Sequence, residues 1–156
     1  MKVFLSSPVS TFPNREVYLK FRRWIVNLCK GIEDLGDNYA VYCVARRIDD
    51  LNALDEPNEG VRQDLAAIAQ SDVFVLIYPT PSATSALIEL GFALAKEINV
   101  IVVSPEKEIL PYMARHLDTI FPSRAMVIEC PMYSTAATNR VVTAVRELGH
   151  TPTLHQ

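Results

Sequence analysis

Glycine is scarce, with 5 in 156 residues, and none of them falls in a GxGxxG or GxxxxGK[ST] arrangement. Those two patterns need glycine so that backbone can close on a phosphate, so a Rossmann dinucleotide turn and a P-loop are excluded. Cysteine is nearly as sparse. Cys29, Cys43 and Cys130 are odd in number, widely spaced and without a CxxC, which points to buried free thiols in a reducing compartment rather than a disulfide framework or a zinc site. His116, His150 and His155 are scattered, and none stands at metal-ligand spacing from a cysteine or carboxylate, so neither a metal nor another cofactor is assigned. A basic excess is missing as well. Fifteen Lys and Arg stand against 18 Asp and Glu, for a net charge of -3, and a surface that tracks a nucleic-acid polymer would carry the opposite balance. No apolar run approaches the roughly eighteen residues of a membrane span. The first residues read as a strand, not as a leader's apolar region. The expectation is a cytoplasmic protein with no membrane and no nucleic-acid partner.

What the chain has is apolar residues, 49% of the total, enough for one real core. Residues 1–150 read as one domain and 151–156 as a tail. Lys2 to Ser6 is a short buried strand running into Ser6-Ser7-Pro8-Val9-Ser10. From Arg15 to Leu35, Val17, Phe21, Trp24, Ile25, Leu28, Ile32 and Leu35 recur at helical spacing, with Gly36 as the stop. Tyr39 to Ala45 reads as a second strand and the acidic, turn-rich Arg46 to Gly60 as a loop or short lid. Val61 to Gln70 reads as a helix, and Asp72 to Tyr78, almost wholly apolar, as a central strand covered on both faces. Pro79 to Ser85 is a hydroxyl-rich loop, Ala86 to Lys96 a helix, and Asn99 to Val103 a buried strand. Ile109 to Leu117 reads as a helix, Ala125 to Glu129 as a fifth strand, and Thr135 to Leu148 as the last helix. Strict β-α alternation predicts an α/β fold: a single flavodoxin-like, doubly wound domain. Its five-stranded parallel sheet has the order 2-1-3-4-5, with helices on both faces.

In such a sheet ligands bind beyond the carboxyl ends of the strands, where the strand order reverses. Here that places Ser6, Ser7 and Pro8 beside the loop carrying Ser82 and Ser85. The hydroxyls and backbone N–H groups of these two loops suit a sugar or a phosphate, and equally suit ordinary turns with Thr84 or Ser85 as a helix cap. Glu89 is more telling, because it is the only charge in the helix before Lys96 and carboxylates are rarely buried unpaired. Asp64, on the helix before the central strand, reads either as a first-turn acid favourable to the helix dipole or as a second carboxylate converging on the same cleft. Two carboxylates with divided roles suit cleavage at an anomeric carbon. Arg15 and Arg47 are available to neutralise a ligand phosphate. Phe21 and Trp24 read as core.

These residues carry a resemblance. Gln63-Asp64-Leu65, Ala69-Gln70-Ser71-Asp72-Val73, Pro81-Ser82 and Ile88-Glu89-Leu90-Gly91-Phe92-Ala93-Leu94-Ala95 resemble the nucleoside 2-deoxyribosyltransferase superfamily, in particular its 2'-deoxynucleoside 5'-monophosphate N-hydrolase branch. The resemblance covers roughly residues 2 to 120. It implies Glu89 as the nucleophile at the anomeric carbon, and Asp64 as the group that positions the substrate or assists proton transfer. The serines of the two loops would hold sugar or 5'-phosphate. It further implies a homodimer, in which the segment Leu110-Pro111-Tyr112-Met113-Ala114-Arg115 reaches across and brings Met113 to the neighbouring site.

The chain departs from the family pattern at Ala83 and Ser85, where transferases place an acidic residue and a glycine. It departs again over Pro81 to Ala86, which lacks the glycines of the hydrolase branch, and at Pro111, where that branch has a serine. For the tyrosine of the family's first loop only Tyr18 offers a counterpart. The same stretch is also similar to bacterial TIR-like domains, whose glutamate cleaves NAD. The expected partner is thus a nucleoside, nucleoside monophosphate or NAD. A silent nucleotide-sensing or protein-interaction module is the alternative from another class.

Overall fold

The computed structural model describes residues 1–9, 11–48, 57–82 and 84–149. Its centre is a five-stranded parallel sheet of order β2-β1-β3-β4-β5, built from β1 (Lys2–Ser6), β2 (Ala40–Cys43), β3 (Val73–Ile77), β4 (Asn99–Ser104) and β5 (Ala125–Glu129). β3 and β4 are buried along their whole length, as the continuous apolar runs require. This is the doubly wound order that alternation predicts.

Side chains alternate across each strand, so the sheet carries two cores. Val3, Leu5, Val73 and Val75 pack beneath α1 (Arg15–Glu33) and α7 (Thr135–Gly149). Phe4, Phe74, Leu76, Val100 and Val102 pack beneath α3 (Pro57–Ala69) and α4 (Ser85–Ala95), together with the single-turn α5 (Tyr112–Arg115) and α6 (Leu117–Ile120). In-register pairing of Phe4 with both Tyr42 and Phe74 aligns three rings on this second face. Their centroids lie 5.2 and 5.7 Å apart, with interplanar angles of 18° and 8°. By the same parity Ser6, two residues after Phe4, belongs to the face that α3 and α4 cover.

Several boundaries differ from the sequence reading. The core stripe of α1 starts at Tyr18, fully buried, while Val17 is exposed. α1 begins where Asn14 accepts a 3.0 Å hydrogen bond from the Val17 amide, an ordinary N-cap. α3 begins at Pro57 rather than Val61, because a proline fits the first helical position, where its missing N–H has no partner to lose. Asp64 therefore lies midway along α3 and not in its first turn. The second strand stops at Cys43, and Val44–Arg47 form a short helix, α2. The single helix expected over 109–117 is instead a 3₁₀ turn (Lys107–Ile109), α5 and α6. Pro111 precedes α5 and has no N–H to continue a helix through it. Residues 49–56 of the expected lid, and the tail at 151–156, lie outside the described residues. All three cysteines are buried. Among the described residues no helix is long and apolar enough to cross a membrane.

Candidate active site

The carboxyl end of β1 and the facing sides of α2, α3 and α4 enclose a cavity of about 290 Å³, near the lower end of small-molecule pockets. It lies where strand order reverses between β1 and β3. Its polar lining is Ser6, Ser7, Arg47, Asp64, Ser85 and Glu89, set among Phe4, Leu5, Val9, Val44, Ile48, Gly60 and Val61. Five of the residues singled out from sequence, Ser6, Ser7, Asp64, Ser85 and Glu89, thus meet at one place, as does Arg47. Pro8, Ser82 and Met113 are not among the lining residues. Pro8 is buried beside the lining loop. Ser82 is held against Tyr78: its amide donates to the Tyr78 hydroxyl (2.9 Å), and that hydroxyl donates to its carbonyl (2.7 Å). Met113 is 68% exposed.

Glu89 is held by a neighbour from the sheet. The Ser6 hydroxyl donates to its Oε2 at 2.6 Å, a short, charge-assisted bond. Burial pushes the Glu89 carboxyl above the ordinary glutamate range, the Ser6 hydrogen bond pulls it back, and the charge of Asp64 raises it further. That interaction with Asp64 is the electrostatic sign that two carboxylates share the site. The α4 N-terminus is closed by Thr84, whose hydroxyl accepts from the Ala86 amide at 3.1 Å. Thr84, and not Ser85, is therefore the cap, and Ser85 is left on the cavity wall.

Asp64 is held from the opposite side. The Tyr42 hydroxyl donates to Asp64 Oδ1 at 2.9 Å, and Arg47 donates to that same hydroxyl oxygen at 3.1 Å. The Arg47 guanidinium also lies over the Tyr42 ring, 5.2 Å from its centroid. The α2 segment is fixed in turn from α1. Arg22 donates to the Arg46 carbonyl (2.9 Å), Arg46 pairs with Glu33 (2.6 Å), and the buried Tyr18 hydroxyl donates to the Ile48 carbonyl (2.7 Å). Tyr18 thus shapes the cavity wall through Ile48 from a core position, and does not itself line the cavity.

Tyr42, Val44, Ile48 and Val61 are contributors that sequence reasoning missed. Tyr42 could have been found only by knowing that it pairs with Phe4, since that register puts it on the α3 face. No group of three or more His, Cys, Asp or Glu gathers as a metal site among the described residues. Two carboxylates, one held by a serine hydroxyl and one by a tyrosine hydroxyl that an arginine contacts, can grip a polyol and meet an electrophilic carbon.

No family model matches the sequence, and no curated protein matches it in sequence. Solved structures do. The CMP N-glycosidase BcmB of Clostridium botulinum superposes with a TM-score of 0.67 over 91% of this chain and 99% of its own, at 19% identity. A conserved protein from Enterococcus faecalis V583 superposes with a TM-score of 0.58 over 94% of this chain and 97% of its own, at 16% identity. At these identities the likeness establishes architecture: the chain has, over nearly its whole length, the α/β fold that the CMP N-glycosidase has.

Proposed function

We propose that the protein cleaves the N-glycosidic bond between base and sugar in a nucleoside 5'-monophosphate or nucleoside, and that it belongs with the nucleoside 2-deoxyribosyltransferase-like enzymes. One observation carries the reading. Glu89, half-buried and bonded to Ser6, faces the same small cavity as Asp64 in a fold shared with a CMP N-glycosidase.

In this mechanism Glu89 is the nucleophile. Ser6 occupies Oε2 and leaves Oε1 to meet the anomeric carbon. As the carbon–nitrogen bond breaks, its electron pair leaves with the base, which takes up a proton from water, and the group that later displaces Glu89 returns one to solvent. Glu89 closes an ester to the sugar, and water or an acceptor hydroxyl then displaces it. Partial desolvation makes the carboxylate more reactive than one in water. Asp64, bonded by a donor that a guanidinium polarises, acts as an acceptor for a donor group on the substrate, and so positions it. Ser7, Ser85 and Arg47 line the cavity and would meet the remaining hydroxyls and a phosphate.

The functional unit is a homodimer. Ile88, one residue before Glu89, is 73% exposed, and Tyr112 and Met113 are 78% and 68% exposed. Apolar side chains this open are what a second copy would cover, bringing Met113 to its neighbour's cavity mouth.

The deciding assay incubates purified protein with CMP, other ribo- and deoxyribonucleoside monophosphates, free nucleosides and NAD, and follows release of free base or nicotinamide. Release from nucleotides or nucleosides supports the proposal. Release from NAD alone would make it a TIR-like NAD glycohydrolase. No release from any of them would leave a sensing or interaction module.

A further inference from the structure

Two nucleophilic side chains in the core take no part in the site. Cys29, on the buried face of α1, and Cys43, the last residue of β2, are 0% and 4% exposed and belong to one core. Their segments are tied together around them. Glu33, one turn after Cys29, pairs with Arg46, three residues after Cys43, at 2.6 Å. Arg22 and Tyr18 of α1 hold the Arg46 and Ile48 carbonyls. The two thiols are themselves hydrogen-bonded, with Cys29 as donor. That bond, and burial after it, raise the Cys29 thiol above the ordinary range. The same bond holds Cys43 below that range against the opposing effect of burial, helped by the amides of Arg46 and Ala45 and by the Arg46 charge. One sulfur is thus disposed to attack as a thiolate, and a second thiol stands beside it. Cys130 lies in the same core but just past β5, with three strands between β5 and β2. Cys43 is also where the chain enters the cavity wall. Val44, next in sequence, and Leu5, opposite Cys43 in the β1–β2 register, both line the cavity, as do Arg47 and Ile48.

We propose that Cys29 and Cys43 form a redox-modification site: hydrogen peroxide converts them to a disulfide, and closing that bond displaces the α2 wall of the cavity. The cavity brings a small oxidant to within one residue of Cys43, and α2, a helix of four residues beside an edge strand, opens easily. The Cys43 thiolate attacks one peroxide oxygen and the O–O bond breaks. The sulfur becomes a sulfenic acid, and the departing hydroxide takes up the proton that Cys43 had released. Cys29 then attacks that sulfur, and its proton leaves with the hydroxyl as water. Two thiols are oxidised to one disulfide, and one peroxide is reduced to two waters. The sulfurs pass from hydrogen-bonding contact to covalent distance, about 2 Å. Cys43 is drawn toward α1, and the turn that carries Val44, Arg47 and Ile48 moves with it. The proposal concerns the wall and stands apart from the reaction proposed for the cavity.

The test treats the reduced wild-type chain with hydrogen peroxide, removes the peroxide with catalase, and alkylates under denaturing conditions. Peptides are then mapped by mass spectrometry without reduction. The expected product has lost two hydrogens, joins Cys29 to Cys43, carries the alkyl group on Cys130, and reverts with dithiothreitol. Cys29→Ser should stop at a Cys43 sulfenic acid that dimedone traps, and Cys43→Ser should leave Cys29 unoxidised. The wild-type map decides even where a variant does not fold. Cys29 and Cys43 both alkylated at peroxide levels that oxidise free glutathione, or a linkage through Cys130, overturns the proposal. Displacement of the wall is read by hydrogen exchange. Amides of residues 44–48 should exchange on the order of tenfold faster in the oxidised protein, with those of β4 unchanged. Equal exchange at 44–48 overturns the coupling to the cavity. On a nucleotide that the wild type cleaves, oxidation should lower kcat/KM about tenfold, and dithiothreitol should restore it. A wild type that cleaves nothing overturns the cleavage reading alone, because neither the peptide map nor the exchange depends on it.

Discussion

Ser6 Oγ donates a 2.6 Å hydrogen bond to Glu89 Oε2, joining the end of β1 to the second turn of α4 across 83 positions of chain. Of the influences on the Glu89 carboxyl it is the one that lowers its proton affinity, while burial and the charge of Asp64 raise it. Removing it in Ser6→Ala therefore moves the Glu89 carboxyl further up. Since the ionised form reacts, the acidic limb of the kcat/KM profile moves to higher pH. With Glu89 harder to ionise and no longer held in place by Ser6, kcat/KM near neutrality should fall by about tenfold. A pH–rate profile whose acidic limb stays in place would show that Ser6 does not set the charge of Glu89.

Asp64→Asn is expected to move the same limb the other way. The like charge that raises the Glu89 carboxyl is gone, so Glu89 ionises at lower pH and the acidic limb follows it down. At the plateau kcat drops roughly 10- to 100-fold, because an amide is a poorer acceptor for a substrate donor and a poorer partner for Tyr42. Opposite displacements in Ser6→Ala and Asp64→Asn, measured on one substrate, separate electrostatic effects on Glu89 from general damage to the site.

Glu89→Gln should abolish base release, with a loss of about 10³-fold or more for a missing nucleophile, and yet stabilise the fold. The sign follows from linkage. A carboxyl whose folded pKa is raised above its ordinary value of 4.5 binds its proton more tightly folded than unfolded. Its ionisation above the folded pKa thus destabilises the protein, and this is relieved as pH falls through that pKa. A neutral glutamine can still accept from Ser6 and does not carry this penalty. Its thermal midpoint should exceed that of wild type at neutral and alkaline pH, with the gain shrinking as pH falls toward 4.5. Equal midpoints across the range would mean that Glu89 is solvated enough to ionise freely.

Much of this site is legible in the sequence for one reason: a carboxylate in an apolar helix is conspicuous. Glu89 stands out against Ala86, Leu87, Leu90, Phe92 and Ala93, and the strand order then says which loops must face it. The runs Val73–Ile77 and Asn99–Ser104 announce central strands because both faces are covered. What is hidden is whatever depends on register or on a residue with two meanings. Tyr42 meets Asp64 only because β2 pairs with β1 so that Tyr42 lies opposite Phe4. Pro57 is as good a turn signal as it is a first helical residue, and the longer α3 that results moves Asp64 from a helix start to a helix middle. Val17 and Tyr18 are adjacent apolar residues, and Tyr18 is the one in phase with the buried stripe Phe21, Ile25, Leu28 and Ile32, its hydroxyl satisfied by the Ile48 carbonyl.

Stability away from the site should depend on Asn99. This side chain, 3% exposed at the start of β4, donates through Nδ2 to the Leu148 carbonyl at 3.0 Å and so satisfies a carbonyl of the last turn of α7, which has no partner within the helix. In Asn99→Ala that carbonyl is left unpaired in a dry environment, at about 1–3 kcal/mol. For a chain of this size that lowers the thermal midpoint by about 2–4 °C per kcal/mol. Because Asn99 lies at the amino end of β4, opposite the edge that carries the cavity, kcat/KM at 25 °C should stay at the wild-type value. A loss of activity without a loss of stability would contradict this division of labour.

Ile88 and Glu89 are adjacent on α4 and face different ways, one into solvent at 73% exposure and the other into the cavity. Gly91 and Ala95, three and seven residues after Ile88, are exposed on the same side of the helix, and a Cβ added at Gly91 would meet nothing within 4 Å. An apolar knob followed by small residues lets a second helix approach closely. Ile88→Asp places a charge in the middle of that contact without touching Ser6, Asp64 or the cavity lining. It should shift the protein from dimer to monomer in sedimentation velocity and leave the fold intact by circular dichroism. If the neighbouring copy completes the site through Met113, specific activity falls in Ile88→Asp, and activity of the wild type per chain rises with protein concentration through the dimerisation range. A wild type that sediments as a monomer at every concentration, with constant specific activity, would place the whole reaction within a single chain.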